Sequence, residues 1–452
     1  MEAVVRLGAF HTLQFLTPRC KATKTRQAQT RGAARHAAIA IGSRPIRADC
    51  FTMRPRCADE QSRQPENQQS RDREWDWAED WVSCRIHSEL SHEPACAAFE
   101  LGARRESPEG LMKRQRILVL VRDGLVPPDT MEGYTDKEIE EWKCEFDVIQ
   151  TLRELGHEVH PLGVYDDLGP LKDAIADWKP DIAFMLLEEF HGVTLYDHAI
   201  VSYLELMRQP YTGCNPLGTM LSRKKALAKK ILLHHDLPTP RFTVVRKGRR
   251  ARLPRDLRYP LLVKSDGEDA SHGISQASVV HDAAALHERV DFLHESGGGD
   301  ALVEEYIEGR ELYVGVIGND RLQTFPIWEM DFNRMPEAQA RIATAKIKFN
   351  EAYRDKYGVT TRAARGIAPE VRRRISNVCK QVYRELEMSG YARMDLRLTE
   401  DNRFYLLEAN ANPNLSYGED FAESAETAGV SYEMLLEKIV RLGLQYEAPW
   451  QE

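Results

Sequence analysis

The chain has 452 residues and eight cysteines, no two of them spaced as C-x-x-C, which leaves no basis for a zinc ribbon or a thioredoxin-like site. No run approaches the ~18 uncharged apolar residues that a membrane-spanning helix needs. Excess positive charge is also absent. Lys and Arg number 62 against 70 Asp and Glu, a net charge of −8 with a pI near 6.0, so a broad phosphate-neutralising face is not expected. We therefore expect neither a nucleic-acid nor a membrane partner. There is no GxxxxGK[ST], and no GxGxxG follows the first strand, which excludes a P-loop NTPase and a dinucleotide-binding domain. No Ser/His/Asp or Cys/His pattern offers a covalent nucleophile. What remains, 42% hydrophobic and 29% charged residues with a mean hydropathy of −0.50, is the composition of a soluble globular chain.

The composition changes near residue 111. Residues 1–111 carry 17 basic and 15 acidic side chains and five of the cysteines, whereas residues 112–452 carry 45 and 55. The first part has no sustained apolar period, and DEQSRQPENQQSRDREWDWAEDW holds too little Val, Ile or Leu to offset the entropy of ordering. We expect 1–111 to be a disordered or transit-peptide-like segment, or an upstream extension of a natural chain that starts at Met112. Cys144, Cys214 and Cys379, scattered over the body, read as reduced core residues of a cytoplasmic protein.

RILVLVRD from Arg116 has the continuous apolar character of a buried parallel strand. A helix from Asp136, with Cys144, Val148, Leu152 and Leu155 on one face, stops at Gly156. HEVHPLGV, LKDAIADWK, DIAFMLLEEF and HAIVSYLELMRQ continue a β, α, β, α order, which implies a parallel sheet. From Met220 one helix, MLSRKKALAKKILLHH, precedes the strands RFTVVRK and YPLLVKS. ALVEEYI, ELYVGVI and RLQTFPIWEM read as three antiparallel strands joined through EGR and GND. APEVRRRISNVCKQVYRELEM is a long amphipathic helix, ARMDLRLT and RFYLLEANA pair around EDN, and a last helix covers Tyr432 to Leu442. The class is α/β, α+β overall.

Several charged residues fall on elements that otherwise read as buried. Lys225 and Lys229 share a helix face. Lys264 ends YPLLVK and meets SDGEDASHGIS, where the small residues Gly267, Ala270, Ser271 and Gly273 let backbone N–H groups approach phosphate oxygens. Glu304 and Glu305 close a strand and Glu311 follows its turn, positions suited to an adenine edge and a ribose. Arg393 and Asp395 lie on one strand face, with Glu408 and Asn410 on the neighbouring strand. Asp395, Glu408 and Asn410 supply hard oxygen ligands of the kind Mg²⁺ takes beside nucleotide phosphates.

With these residues in order, the body from about Arg116 to Leu444 resembles the ATP-grasp superfamily, and within it D-alanine:D-alanine ligase and its relatives. SRKKALAKKILLHHDLPTP, LLVKSDGEDASHGIS, VEEYIEGREL and the pair ARMDLRL and LLEANANP carry the likeness. The resemblance implies an N-terminal parallel α/β domain at 112–213, then a two-part ATP-grasp fold at 214–303 and 304–448. It implies ATP held by Lys225, Lys264, Ser271, Gly273, Glu304, Glu305, Ile307 and Glu311, and Mg²⁺, with Mn²⁺ as the alternative, held by Asp395, Glu408 and Asn410. Arg393 is the implied oxyanion-binding residue, Glu145 and His191 the substrate-side residues, and Lys346 the lysine of a lid formed by TAKIKFNEAYRDKYG. The expected activity is ATP-dependent joining of a carboxylate to an amine through an acyl phosphate, with small amino acids as substrates and a homodimer as the assembly. The alternatives are an ATP-grasp ligase for another amino acid or small acid pair, or an ATP-binding regulatory module without turnover. Two departures stand out: RDGLVPPDTMEGYT in place of a short glycine-serine loop, and Asn414 where the family has glycine.

Overall fold

In the computed structural model, strand β1 (Arg116–Arg122) is buried along five consecutive positions, the pattern of a strand covered on both faces. The structure describes residues 112–448 except 268–272, 298, 333, 337 and 338, so the expectations for 1–111 and for Ser271 lie outside the described residues. Thr135 starts α1 (Asp136–Glu154) with a reciprocal capping box to Glu138, satisfying two donors that the first turn leaves open. The helix buries Val148, Ile149 and Leu152 and ends at Gly156, whose φ is +86°. Strand β2 (Glu158–Val164), helix α2 (Gly169–Asp177), strand β3 (Ile182–Met185) and helix α3 (Asp197–Leu206) complete the unit. The order is β2-β1-β3, all parallel, as the alternation predicts. DIAFMLLEEF forms a strand only as far as Met185, because Leu186 N donates the last ladder bond, to Leu120 O. Beyond it the chain leaves the sheet at the carboxyl ends of the strands, where open α/β sheets bind ligands.

The helix expected from Met220 is two helices, α4 (Pro216–Arg223) and α5 (Lys225–His234), broken at Lys224 with φ −93° and ψ 76°. The break has a cause downstream. Asp266, just past the strand that ends at Ser265, accepts from Ala226 N at 2.7 Å through its side chain and from Lys225 N at 3.3 Å through its carbonyl, so a remote residue caps α5 and turns its first residue inward. Strands β4 (Phe242–Val245), β5 (Leu261–Ser265) and β6 (Val279–Val280), helix α6 (Ala283–Glu295) and strand β7 (Ala301–Glu305) follow. Their sheet runs β4-β7-β5-β6 and is antiparallel.

The third sheet takes β8 (Arg310–Ile317), β9 (Gln323–Thr324), β10 (Trp328–Asp331), β11 (Thr360–Ala363), β12 (Tyr391–Leu398) and β13 (Phe404–Ala411), in the order β11-β10-β8-β12-β13 with β9 on β8. The short helices α7 (Ala345–Phe349) and α8 (Glu351–Tyr357) precede β11, and the amphipathic α9 (Pro369–Glu385) precedes β12. Two helices, α10 (Asp420–Thr427) and α11 (Tyr432–Gln445), close the chain. The expectation of one antiparallel set through EGR is corrected here: β7 and β8 belong to different sheets, whereas β8, β9 and β10 pair as expected. Tyr306 N still donates to Pro260 O of the second sheet, while Gly309, at φ +152°, passes so close to Leu398 that a side chain would collide with its carbonyl. The chain thus crosses between sheets within Tyr306–Gly309. RLQTFPIWEM is likewise two strands, because Pro326 has no N–H to continue a ladder.

The two sheets also touch elsewhere. At the start of β4, Leu406 N donates to Pro238 O and Thr239 Oγ1 donates to Leu406 O. Elsewhere Gln276 exchanges two hydrogen bonds with the backbone of Ala340, at 2.8 and 2.9 Å. Cys214 and Cys379 are buried in the core, and burial raises their thiol pKa values, which keeps them inert. Among the described residues no helix is long and apolar enough to cross a membrane.

Candidate active site

Three lysines and two carboxylates meet between the second and third sheets. Lys225 and Lys229 project from α5, Lys264 from β5, Glu304 from β7 and Glu408 from β13. Glu304, wholly buried, lies 2.9 Å from Lys229 and 2.9 Å from Lys264; Glu408 lies 3.7 Å from Lys264 and 3.9 Å from Lys225. Lys229 is only 2% exposed and also donates to Thr239 at 2.8 Å, so it braces Glu304 and faces away from ligand space. Burial alone would raise both carboxylates. The lysines outweigh it, holding Glu304 below its usual range and Glu408 at about 2. Burial pulls Lys225 down to about 8, opposed by Glu408 and reinforced by Lys264. For Lys264 burial is overcome by Glu304 and Glu408, and its pKa rises. At neutral pH Lys264 is therefore a fixed cation.

Beside this cluster is a cavity of about 60 Å³, with Leu262, Ile274, Ile342 and Leu407 forming apolar walls. Lys264, Glu304, Glu305, Ile307, Glu311, Asp395 and Glu408 all line it, so the structure brings these sequence-selected residues together. An apolar slot with charge at one end suits a planar ring carrying phosphates. Glu311 is held by Arg397 at 2.6 Å and by the Tyr313 hydroxyl at 3.0 Å. Gly273 turns at φ +72° and its carbonyl accepts from Arg289. Lys346 is exposed and does not line the cavity; Lys348 does, and its charge helps to depress Glu408. The cap of α7 explains this placement. Thr344 accepts from Ile347 N, and the short helix buries Ile347 and turns Lys348 toward the slot.

On β12, Arg393 grips Asp395 with two bonds of 2.8 and 3.0 Å, stacks over Tyr313 and reaches Asp420 at 3.9 Å. Glu408 stands opposite Asp395 in register, and Asn410 opposite Arg393. This set fits a divalent cation. Two carboxylates face one another across a strand pair, and the buried Asn410 Nδ2 has no hydrogen-bond partner among the described residues, so an amide turned to place oxygen there gives a third hard donor.

A second cavity, about 320 Å³, opens at the carboxyl ends of β1 and β3 and continues to the segment after β13. Glu145 lines it at 8% exposure, and burial raises its carboxyl to about 7, with Glu188 adding to the rise and Arg122 opposing it. His191 does not line the cavity. Its ring is 66% exposed, stacked on Tyr165 and 3.8 Å from Asp166. Tyr391 and Asn412 bound this cavity, while Asp395 and Glu408 bound the smaller one. The two cavities therefore share one strand pair, four residues or roughly 13 Å apart. Sequence reasoning missed Arg122, Glu188, Arg223 and Lys348. For Lys348 the signal was available, since Ile347 between the two lysines is the apolar residue that fixes which of them turns inward.

A family model described as D-ala D-ala ligase C-terminus matches residues 231–441. Curated D-alanine–D-alanine ligases of Desulfotalea psychrophila and Desulforudis audaxviator are 30% and 31% identical over 65% of this chain and 88% and 90% of theirs. An uncharacterised protein of Sinorhizobium fredii is 32% identical over 65% of this chain and 85% of its own. The crystal structure of D-alanine–D-alanine ligase from Bacillus anthracis complexed with ATP covers 73% of this chain and 98% of its own at a TM-score of 0.55 and 23% identity. At that identity the likeness is one of fold. The slot between two sheets, with its lysines and carboxylates, together with these relatives defines an ATP-grasp ligase. More narrowly, the chain belongs to the D-alanine–D-alanine ligase family.

Proposed function

We propose that this chain is an ATP-dependent carboxylate–amine ligase working through an acyl phosphate, with a small amino acid such as D-alanine supplying the carboxylate. The observation that carries this is that Lys264, Asp395 and Glu408 line one slot with apolar walls, the two carboxylates standing on the same strand pair that bounds a larger cavity for substrates. A carboxylate oxygen attacks the γ-phosphorus of ATP, the bond to the bridging oxygen breaks and ADP leaves. The amine nitrogen of the second substrate then attacks the acyl carbon, its proton passes to water, and phosphate leaves with the C–O bond.

In this reading Lys225 and Lys264 neutralise the phosphates, since charge developing on a transferring phosphoryl group is where fixed cations matter most. Lys348 lines the slot as well. Arg393, aligned by Asp395 and Tyr313, faces the acyl oxygen. Asp395, Glu408 and Asn410 would hold Mg²⁺, which when bound would offset the charge of the nucleotide phosphates. The test is phosphate release from Mg·ATP by the full chain, screened against D-alanine, other D- and L-amino acids and small hydroxy acids, with product masses recorded. Substrate-dependent release with an amide-bonded product is expected; ATP binding without release for any donor and amine would sink the reading.

A further inference from the structure

Arg393 stands on β12 between the two cavities. Tyr391, two residues before it, bounds the larger one, and Asp395, two residues after it, bounds the smaller. Alternation puts the three on one strand face. The hold on the guanidinium is unequal. Asp395 takes Nε and Nη2 at 2.8 and 3.0 Å and Tyr313 lies against the guanidinium plane, but Nη1 has Asp420 Oδ2 at 3.9 Å, too far for a hydrogen bond. Asp395 is also one of the three residues that fit a divalent cation. Its two oxygens therefore answer to two cations, and whatever charge Asp395 gives to a metal ion weakens its grip on Arg393.

Asp420 has capacity to spare. It is the first residue of α10 and is buried; Arg393 is its only ion-pair partner among the described residues, and its Oδ1 has no hydrogen-bond partner there. A buried carboxylate oxygen without a donor is costly, and the charged donor that faces this carboxylate is Arg393 Nη1. Its mount is firm, because the loop before α10 is tied to α1: Lys143 Nζ donates to Tyr417 O at 2.7 Å, and Tyr417 N donates to Asp147 at 2.9 Å. Burial pushes the Asp420 carboxyl up to about 6 against the pull of Arg393, so at neutral pH the pair is charged. We propose that Asp420 is a positioning residue for Arg393: it takes the Nη1 edge as Asp395 turns toward a metal ion, and so keeps the guanidinium at the acyl oxygen. The proposal rests on the ligase reading, which gives Arg393 that task. A purely structural role for Asp420 makes a different forecast. An acid in a first helical turn favours the helix whatever its neighbours, and Glu423 shares that turn without pairing with Arg393.

The experiment uses the full chain with Mg·ATP and the donor and acceptor that release phosphate fastest. Asp420→Asn should lower kcat by about tenfold or more and leave the KM for ATP within about twofold, the split expected when an interaction is made only in the transition state. Asp420→Glu, whose extra methylene can span the 3.9 Å gap, should recover most of the loss, and Glu423→Gln should change neither constant beyond about twofold. Binding of Mn²⁺, read by electron paramagnetic resonance with a non-hydrolysable ATP analogue, is independent of turnover. Asp420→Asn should weaken it several-fold, because Arg393 then competes for Asp395 undivided, and the shift should vanish when Arg393 is already Met. Equal losses for Asp420→Asn and Glu423→Gln, or a metal shift undiminished in Arg393→Met, would overturn the proposal. Turnover that Asp420→Asn leaves unchanged would overturn it too and keep the ligase. A metal shift that vanishes with Arg393, without phosphate release for any pair, would support the hold on Arg393 and remove the ligase reading instead.

Discussion

Replacing Glu304 with Gln tests the charge cluster most directly. Glu304 is wholly buried and bridges Lys229 and Lys264 at 2.9 Å each. The variant keeps the shape and removes the charge. Lys229, 2% exposed, then has only the Thr239 hydroxyl, and burial already lowers its pKa, so it must either stay charged at high cost or release its proton. Removing one partner of a buried pair costs about 3–5 kcal/mol, whereas replacing both partners with apolar groups is often near neutral. Urea unfolding at pH 7 should therefore show a loss of about 3–5 kcal/mol for Glu304→Gln, with unchanged slope. Adding Lys229→Met should recover more than half of that, because the stranded ammonium is gone; Lys264 keeps Glu408 as a counter-charge. A loss under ~1 kcal/mol, or a double variant no better than the single one, would refute the account of Glu304 as the brace between two cations.

Three other outcomes are expected. Lys348→Ala should lower kcat/KM for ATP by about tenfold to a thousandfold, since it removes a fixed cation from the slot, while Lys346→Ala, at an exposed position, should stay within twofold; equal effects would contradict the placement of α7. On the acid side, Glu304 and Glu408 have folded pKa values below their unfolded ones, with Glu408 at about 2. Their contribution is complete above the unfolded value near 4.5 and is lost as pH falls toward 2, so a urea midpoint flat between pH 5 and pH 2 (roughly the window of linkage) would argue against it. Glu145, raised to about 7, should give an amino-acid KM that falls as pH rises through about 7; Glu145→Gln should remove that limb from the pH profile.

Much of this could be read before the coordinates, and the limits have physical reasons. β1, α1 and α9 announce themselves because burial imposes a period on their residues, and the β12–β13 pair because alternation places Arg393, Asp395, Glu408 and Asn410 on facing positions. Strand membership is different. Nothing local to EGR distinguishes a hairpin from a crossing between sheets, since the outcome depends on Pro260 and Leu398, far away in the chain. The break at Lys224 is equally non-local, being set by Asp266. The resemblance implies His191 as a substrate-side residue, but its backbone is at φ +55° and its ring stacks on Tyr165. Of the larger cavity only Glu145 is named from the sequence, because its other walls come from the segment after β3 and the loop before α10.

The crossing at Tyr306–Gly309 gives the two sheets of the nucleotide slot an unequal attachment. At one edge they are tied covalently by four residues, at most ~14 Å of extended chain, and alongside by the backbone bond from Leu406 to Pro238. At another point the clasp is the side-chain amide of Gln276 against Ala340, with a longer bond of 3.4 Å from Ala345 N to Ile274 O beside it. A hinge movement between these sheets would turn about Tyr306–Gly309 and part where Gln276 meets Ala340. Ile274 and Ile342, two of the slot's apolar walls, stand beside that clasp, so parting there would uncover the slot from that side.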